Sequence, residues 1–140
     1  KSNRQGRVFF GSQRQLILYV RQLAWLWTRG KDRNTPRCKA GEEEKHLPDI
    51  GGFAYLIEEM FECGPDAISW QSLNAYTQLS GVEFDHWEAS TLVKMSRAYD
   101  GAVRQFDGAD AERPYTTEEV KQAAITRMQQ NIRGRRIKNG

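Results

Sequence analysis

The chain has 140 residues, 39% of them hydrophobic and 28% charged, with a net charge of +3. A chain of this length can bury roughly two-thirds of its unfolded surface in one domain, and the low hydrophobic content predicts a modest core with some poorly ordered sequence. Two cysteines, Cys38 and Cys63, exclude a disulfide scaffold and read as free thiols of a reducing compartment; no apolar run is long enough to span a membrane, and no secretory signal is legible.

The small net charge conceals a strong segregation. Residues 1–46 carry eleven Lys/Arg against four Asp/Glu, residues 47–112 carry three against twelve, and residues 113–140 carry seven against two. An acidic middle between basic ends predicts three segments: a basic arm, helix and linker over 1–48, an acidic helical core over 49–112, and a C-terminal helix with a basic tail over 113–140.

The opening "KSNRQGRVFFG" lacks periodicity and reads as an irregular arm. Ser12 and Gln15 have capping-box spacing, and Leu16, Tyr19, Val20, Leu23 and Trp27 then recur as one apolar helix face, which predicts a helix over 13–29 that stops at Gly30. Residues 31–48 have two prolines and no period and read as a linker or mobile loop. Asp49 caps a second predicted helix whose stripe is Phe53, Leu56, Ile57, Met60 and Phe61, ended by Cys63-Gly64-Pro65. Ser69 starts a third, with Trp70, Leu73, Tyr76 and Thr77 on one face, Leu79 beside them and Gly81 as the stop.

Asp85 and Glu88 form a capping box behind a staple residue, Phe84. The fourth stripe, Trp87, Leu92, Met95, Tyr99, Val103 and Phe106, is the best periodic signal in the chain. Thr116 and Glu119 open a fifth helix over 117–133, with Val120, Ala124, Met128 and Ile132 on its face. The expected fold is all-α, about five helices in a small orthogonal or irregular bundle with mobile basic termini.

Catalytic chemistry finds little to work with. Cys38, His46, Cys63 and His86 have long, irregular gaps rather than the close pairs of a zinc site, and neither histidine has a nucleophile motif around it. The Gly51-Gly52 pair lacks the lysine and hydroxyl of a phosphate loop. Glu58, Glu59 and Glu62 read as a solvated helix face. The expectation is a protein without metal, cofactor or enzymatic activity. A basic patch of Arg133, Arg135, Arg136 and Lys138, with Arg14, Arg21 and Arg29 near Trp25 and Trp27, leaves a nucleic-acid-binding alternative. Against it, the acidic middle would repel a phosphate backbone. Trp and Tyr are favoured in interface hot spots and Met adapts to varied partners, so Trp70, Tyr76, Trp87, Met95 and Tyr99 are the candidate partner-binding residues, set against the simpler reading of that stripe as core.

The stretch "ISWQSLNAYTQLSGVEFDHWEASTLVKMSRAYDGA" also carries a family resemblance. Ser69-Trp70, Ala75-Tyr76, Gly81, Trp87-Glu88, Met95-Ser96 and Ala98-Tyr99, behind the Gly/Pro break of "FECGPD", resemble the pattern of small tail assembly chaperones of long-tailed bacteriophages and prophages. The match spans about residues 61–102. The resemblance implies a non-enzymatic helper in the bacterial cytoplasm that binds the tape-measure protein, and in some cases the tail-tube protein, during tail assembly and is absent from the finished tail.

Overall fold

A computed structural model describes residues 2–41, 47–64 and 66–115, together with 122, 125–126 and 129–130. Four α-helices occupy the described residues: α1 Ser2–Trp27, α2 Ala54–Glu62, α3 Trp70–Ser80 and α4 His86–Phe106. Short 3₁₀ turns lie at Arg37–Ala40 and Gly51–Phe53. Among the described residues there is no strand, only an isolated antiparallel bridge between Arg29 and Pro36. The chain is all-α as expected. The expected fifth helix, 117–133, lies largely outside the described residues, although 122, 125–126 and 129–130 are helical.

Local chemistry explains α3 and α4. The Asp85 carboxylate accepts from Glu88 N (2.8 Å), and the Glu88 carboxylate accepts from Asp85 N (3.0 Å). These two bonds satisfy donors that a helix start would otherwise leave open. Ser69 and Ser72 do the same for α3. Gly81, at φ 75°, ends α3 in the left-handed region where a Cβ would be strained.

Three expectations need correction. Residues 2–11 are not an irregular arm, because α1 runs unbroken from Ser2. Ser12 therefore sits mid-helix, where no open donor needs a cap. Gly6 and Gly11 cost roughly 1 kcal/mol each in a helix, which an already nucleated helix tolerates. Second, Trp27 is exposed while Trp25 is buried. A single-stripe reading assumes one covered face, but Leu16, Leu18, Val20, Gln22, Ala24, Trp25 and Leu26 are all buried. The C-terminal half of α1 is covered by α4 on one side and by irregular chain on another. Third, residues 31–41 are not a free linker: Arg37 is 5% exposed, and Cys38 packs against the core.

Helices α1 and α4 lie side by side and parallel. Gln13 Nε2 donates to Thr91 Oγ1 (2.9 Å) at one end, and Arg29 N donates to Asp107 Oδ1 (3.2 Å) just past the other, each pair 78 apart in sequence. Leu16 and Val20 of α1 join Leu56, Met60, Ile68, Leu73, Leu92, Val93 and Met95 in one core cluster; Ala24, Trp25 and Leu26 join Ala102 and Phe106 in a second. The basic first segment and the acidic middle thus share their core. A parallel pair cannot be joined by a short loop, and the crossover between them carries α2 and α3.

Two parallel helices place their negative C-terminal ends together, each worth about half an electron charge. Arg37 sits between them. Its Nη1 donates to Trp25 O (3.1 Å) and Thr28 Oγ1 (2.7 Å), and its Nη2 to Phe106 O (3.1 Å) and Ala109 O (2.6 Å). One guanidinium therefore satisfies carbonyls at the ends of both helices while lying 5.1 Å from the centre of the Trp25 ring.

Arg37→Met should cost about 3 kcal/mol or more in urea unfolding, because carbonyls buried at two helix ends lose their donor. Arg33→Ala, at an exposed position of the same loop, should stay within about 0.5 kcal/mol. Equal effects would contradict the capping role. Asp85→Ala should cost about 1 kcal/mol by the same measurement, the usual value of an N-cap.

Candidate functional site

The sequence-derived partner residues separate into distinct environments. Met95 is 0% exposed and belongs to the first core cluster, so it supports the surface from beneath. Trp87 is half-buried and packs its ring against Phe53, centroids 5.1 Å apart. Tyr76 is half-buried and donates its hydroxyl to Glu59 Oε2 at 2.7 Å. Tyr99 is half-buried and meets the Phe61 ring in a T-shaped contact, centroids 5.2 Å apart and planes at 90°. Trp70 is 47% exposed and stacks over His86, 6.2 Å between centroids and 11° between planes.

Helix α3 rides on the core by a narrow seam. Leu73, and Ile68 in the chain just before the helix, are its buried anchors. Ile68 N donates to the buried Ser96 Oγ of α4 at 2.7 Å. The Tyr76–Glu59 bond joins α3 to α2. The rest of α3 faces outward, with Leu79 90% exposed. A groove of ≈ 360 Å³ lies between the C-terminal end of α2 and the middle of α4, lined by Met60, Phe61, Tyr99 and Val103 with Asp66 and Asp100 among its polar residues.

Sequence reasoning missed Phe61, Tyr55 and Leu79 as surface residues. It placed Phe61 on the stripe of the second helix, yet Phe61 is 45% exposed while its neighbour Met60 is buried. The available signal was position: Phe61 stands next to Glu62, one step around the helix from the core line through Leu56 and Met60. Tyr55, also exposed, donates to Glu88 Oε2 at 2.8 Å.

The electrostatics of this face are negative. The Tyr76 hydroxyl is pushed up to about 12, chiefly by its bond to the Glu59 carboxylate and then by desolvation. Tyr55 is also pushed up to about 12, by desolvation first and by Glu88 second. Burial raises the Cys63 thiol, and the charges of Glu59 and Glu62 raise it further. Burial alone raises Tyr99.

The residues behind the nucleic-acid alternative fall elsewhere. Trp25 is buried, donates Nε1–H to Ala111 O at 2.8 Å, and lies within 5.5 Å of the Arg113 guanidinium as well as against Arg37. Its ring is thus engaged within the fold. Beside it is a cleft of ≈ 390 Å³ lined by Lys31, Arg33 and Arg37 together with Asp32 and Asp110. Arg133, Arg135, Arg136 and Lys138 lie outside the described residues. Of the four zinc candidates, Cys38 and Cys63 pack against different core clusters, His86 stacks on Trp70, and His46 lies outside the described residues. Among the described residues no helix is long and apolar enough to cross a membrane.

No family model, no curated protein and no solved structure matches the chain.

The tyrosine geometry has a pH signature. Tyr76 and Tyr55 carry folded-state values above the ordinary 10.0. Their contribution to stability is therefore complete below pH 10 and is lost as pH rises from there through about 12. Tyrosinate absorbance should show Tyr55, Tyr76 and Tyr99 titrating late, and Glu59→Ala should return Tyr76 toward 10.0. A titration unchanged by Glu59→Ala would contradict the Tyr76–Glu59 bond.

Proposed function

We propose that the chain is a non-enzymatic tail assembly chaperone of a long-tailed bacteriophage or prophage. In this reading it works in the host cytoplasm and binds the tape-measure protein, the tail-tube protein or both while the tail is built. The family resemblance of residues 61–102 supplies the identity of the client.

One structural observation carries the reading: Phe61, Trp70 and Leu79, on the elements that bear the resemblance, remain exposed on a short-helix platform. Large apolar side chains held outward on a fixed scaffold suit a surface that covers another protein's apolar segment. The same observation bears on the small orthogonal or irregular bundle expected from the sequence. Helices α2 and α3 form an open ledge against the α1–α4 pair, which leaves room for a client helix in a groove. Tyr99 lines that groove, Trp70 stands on the ledge, and Tyr76 and Trp87 fix the ledge in place.

Co-expression tests this directly. Produced beside the tape-measure-like product of its own gene neighbourhood, the chain should render that product soluble and stay bound to it. Trp70→Ala and Tyr99→Ala variants that keep a native circular dichroism spectrum should lose the complex. No complex, together with salt-sensitive retention on DNA or RNA, would overturn the proposal and favour binding through the basic ends.

A further inference from the structure

From Leu47 through Val93 the chain contains eight Asp/Glu and not one Lys or Arg. That stretch includes all of α2 and α3, and it holds four of the large apolar side chains that the described structure leaves exposed, Tyr55, Phe61, Trp70 and Leu79. Apolar and acidic groups are thus interleaved along that stretch with no cation of its own to neutralise them. We infer that the groove between α2 and α4 binds a cationic amphipathic helix of a partner protein, an inference that rests on reading this face as a client-binding surface.

Charge complementarity selects this occupant. The helix α2 has no basic residue in its last turn to offset its negative C-terminal pole, and the groove lies at that end, where Phe61 and Gly64 line it. Asp66 is exposed beside that end, and Asp100 lines the opposite wall, where it already holds the Arg104 guanidinium at 2.9 Å. Phe61, Tyr99 and Val103 form an apolar floor that accepts the aliphatic or aromatic side chains of a helix at i and i+3 or i+4. Lysines or arginines flanking those anchors would reach Asp66 and Glu62, both exposed beside the groove. A nucleic acid or an anionic membrane would meet like charge on the same face.

The test titrates the full-length chain with three short labelled peptides: Leu and Lys at helical spacing, Leu and Glu at the same spacing, and the Leu/Lys composition scrambled to destroy the apolar face. Fluorescence anisotropy should show binding of the first alone. Glu62→Lys combined with Asp66→Lys, both exposed substitutions, should weaken it at least about tenfold. Phe61→Ser should weaken it independently, with the fold checked by circular dichroism. Equal binding of the Lys and Glu peptides, or indifference to the charge reversal, would overturn the inference. So would absence of peptide binding with zero-length cross-links joining Glu62 or Asp66 to Lys121 of the same molecule, which would make the chain's own 117–133 segment the occupant. The chaperone proposal fails separately. A tape-measure complex that survives the charge reversal sinks only the cationic-helix inference. Peptide binding without any tape-measure complex sinks only the tail-assembly role.

Discussion

The fold turns on one buried guanidinium. Helices α1 and α4 run parallel, so their negative ends meet, and each end presents carbonyls that no further helical turn can satisfy. Arg37 answers both problems with one rigid, permanently charged fork, donating to Trp25 O and Phe106 O across the gap. A lysine has no planar fork to span the two ends. Burying a cation without such partners would be prohibitive, so the position of the 31–41 loop is dictated by where those carbonyls are.

Everything on the exposed face of α2 and α3 follows from that parallel pair. Because the chain must travel back before α4 can begin alongside α1, residues 31–85 form a crossover, and α2 and α3 are what that crossover contains. They are short, and each buries only part of its apolar surface: Leu56 and Met60 from α2, and Leu73 from α3. Phe61, Trp70 and Leu79 are left outside because the crossover lies against one side of the pair with nothing over it among the described residues. Charge follows the same division. The cations cluster at the two ends of the sequence, and the crossover from Leu47 onward is acidic.

Much of α3 and α4 was legible in the sequence because their determinants are local. The Asp85/Glu88 box, the Ser69 cap, Gly81 and the stripe through Leu92, Met95 and Phe106 all lie within a few residues of the structure they specify. Arg37 was illegible for the opposite reason. Its partners at Phe106 and Ala109 are 69 and 72 residues away, and nothing near Pro36 marks a burial site. The exchange of Trp25 and Trp27 has the same origin, since periodicity reports one covered face and α1 is covered on more than one. The candidate surface was legible in part. Trp70 and Tyr99 could be named from pattern, whereas Phe61 looked like core because a helix of nine residues is too short to separate a buried line from its flank.

A surface defined by what the fold leaves uncovered should be the surface that a client covers. Hydrogen–deuterium exchange on the full chain, with and without the tape-measure product, reads this directly along the backbone. Slowed exchange concentrated in α2, α3 and the Tyr99–Val103 turn of α4 is the expected result. Slowed exchange confined to residues 27–37 and 113–140, with α2 and α3 unchanged, would contradict the central claim and place the working surface on the basic ends.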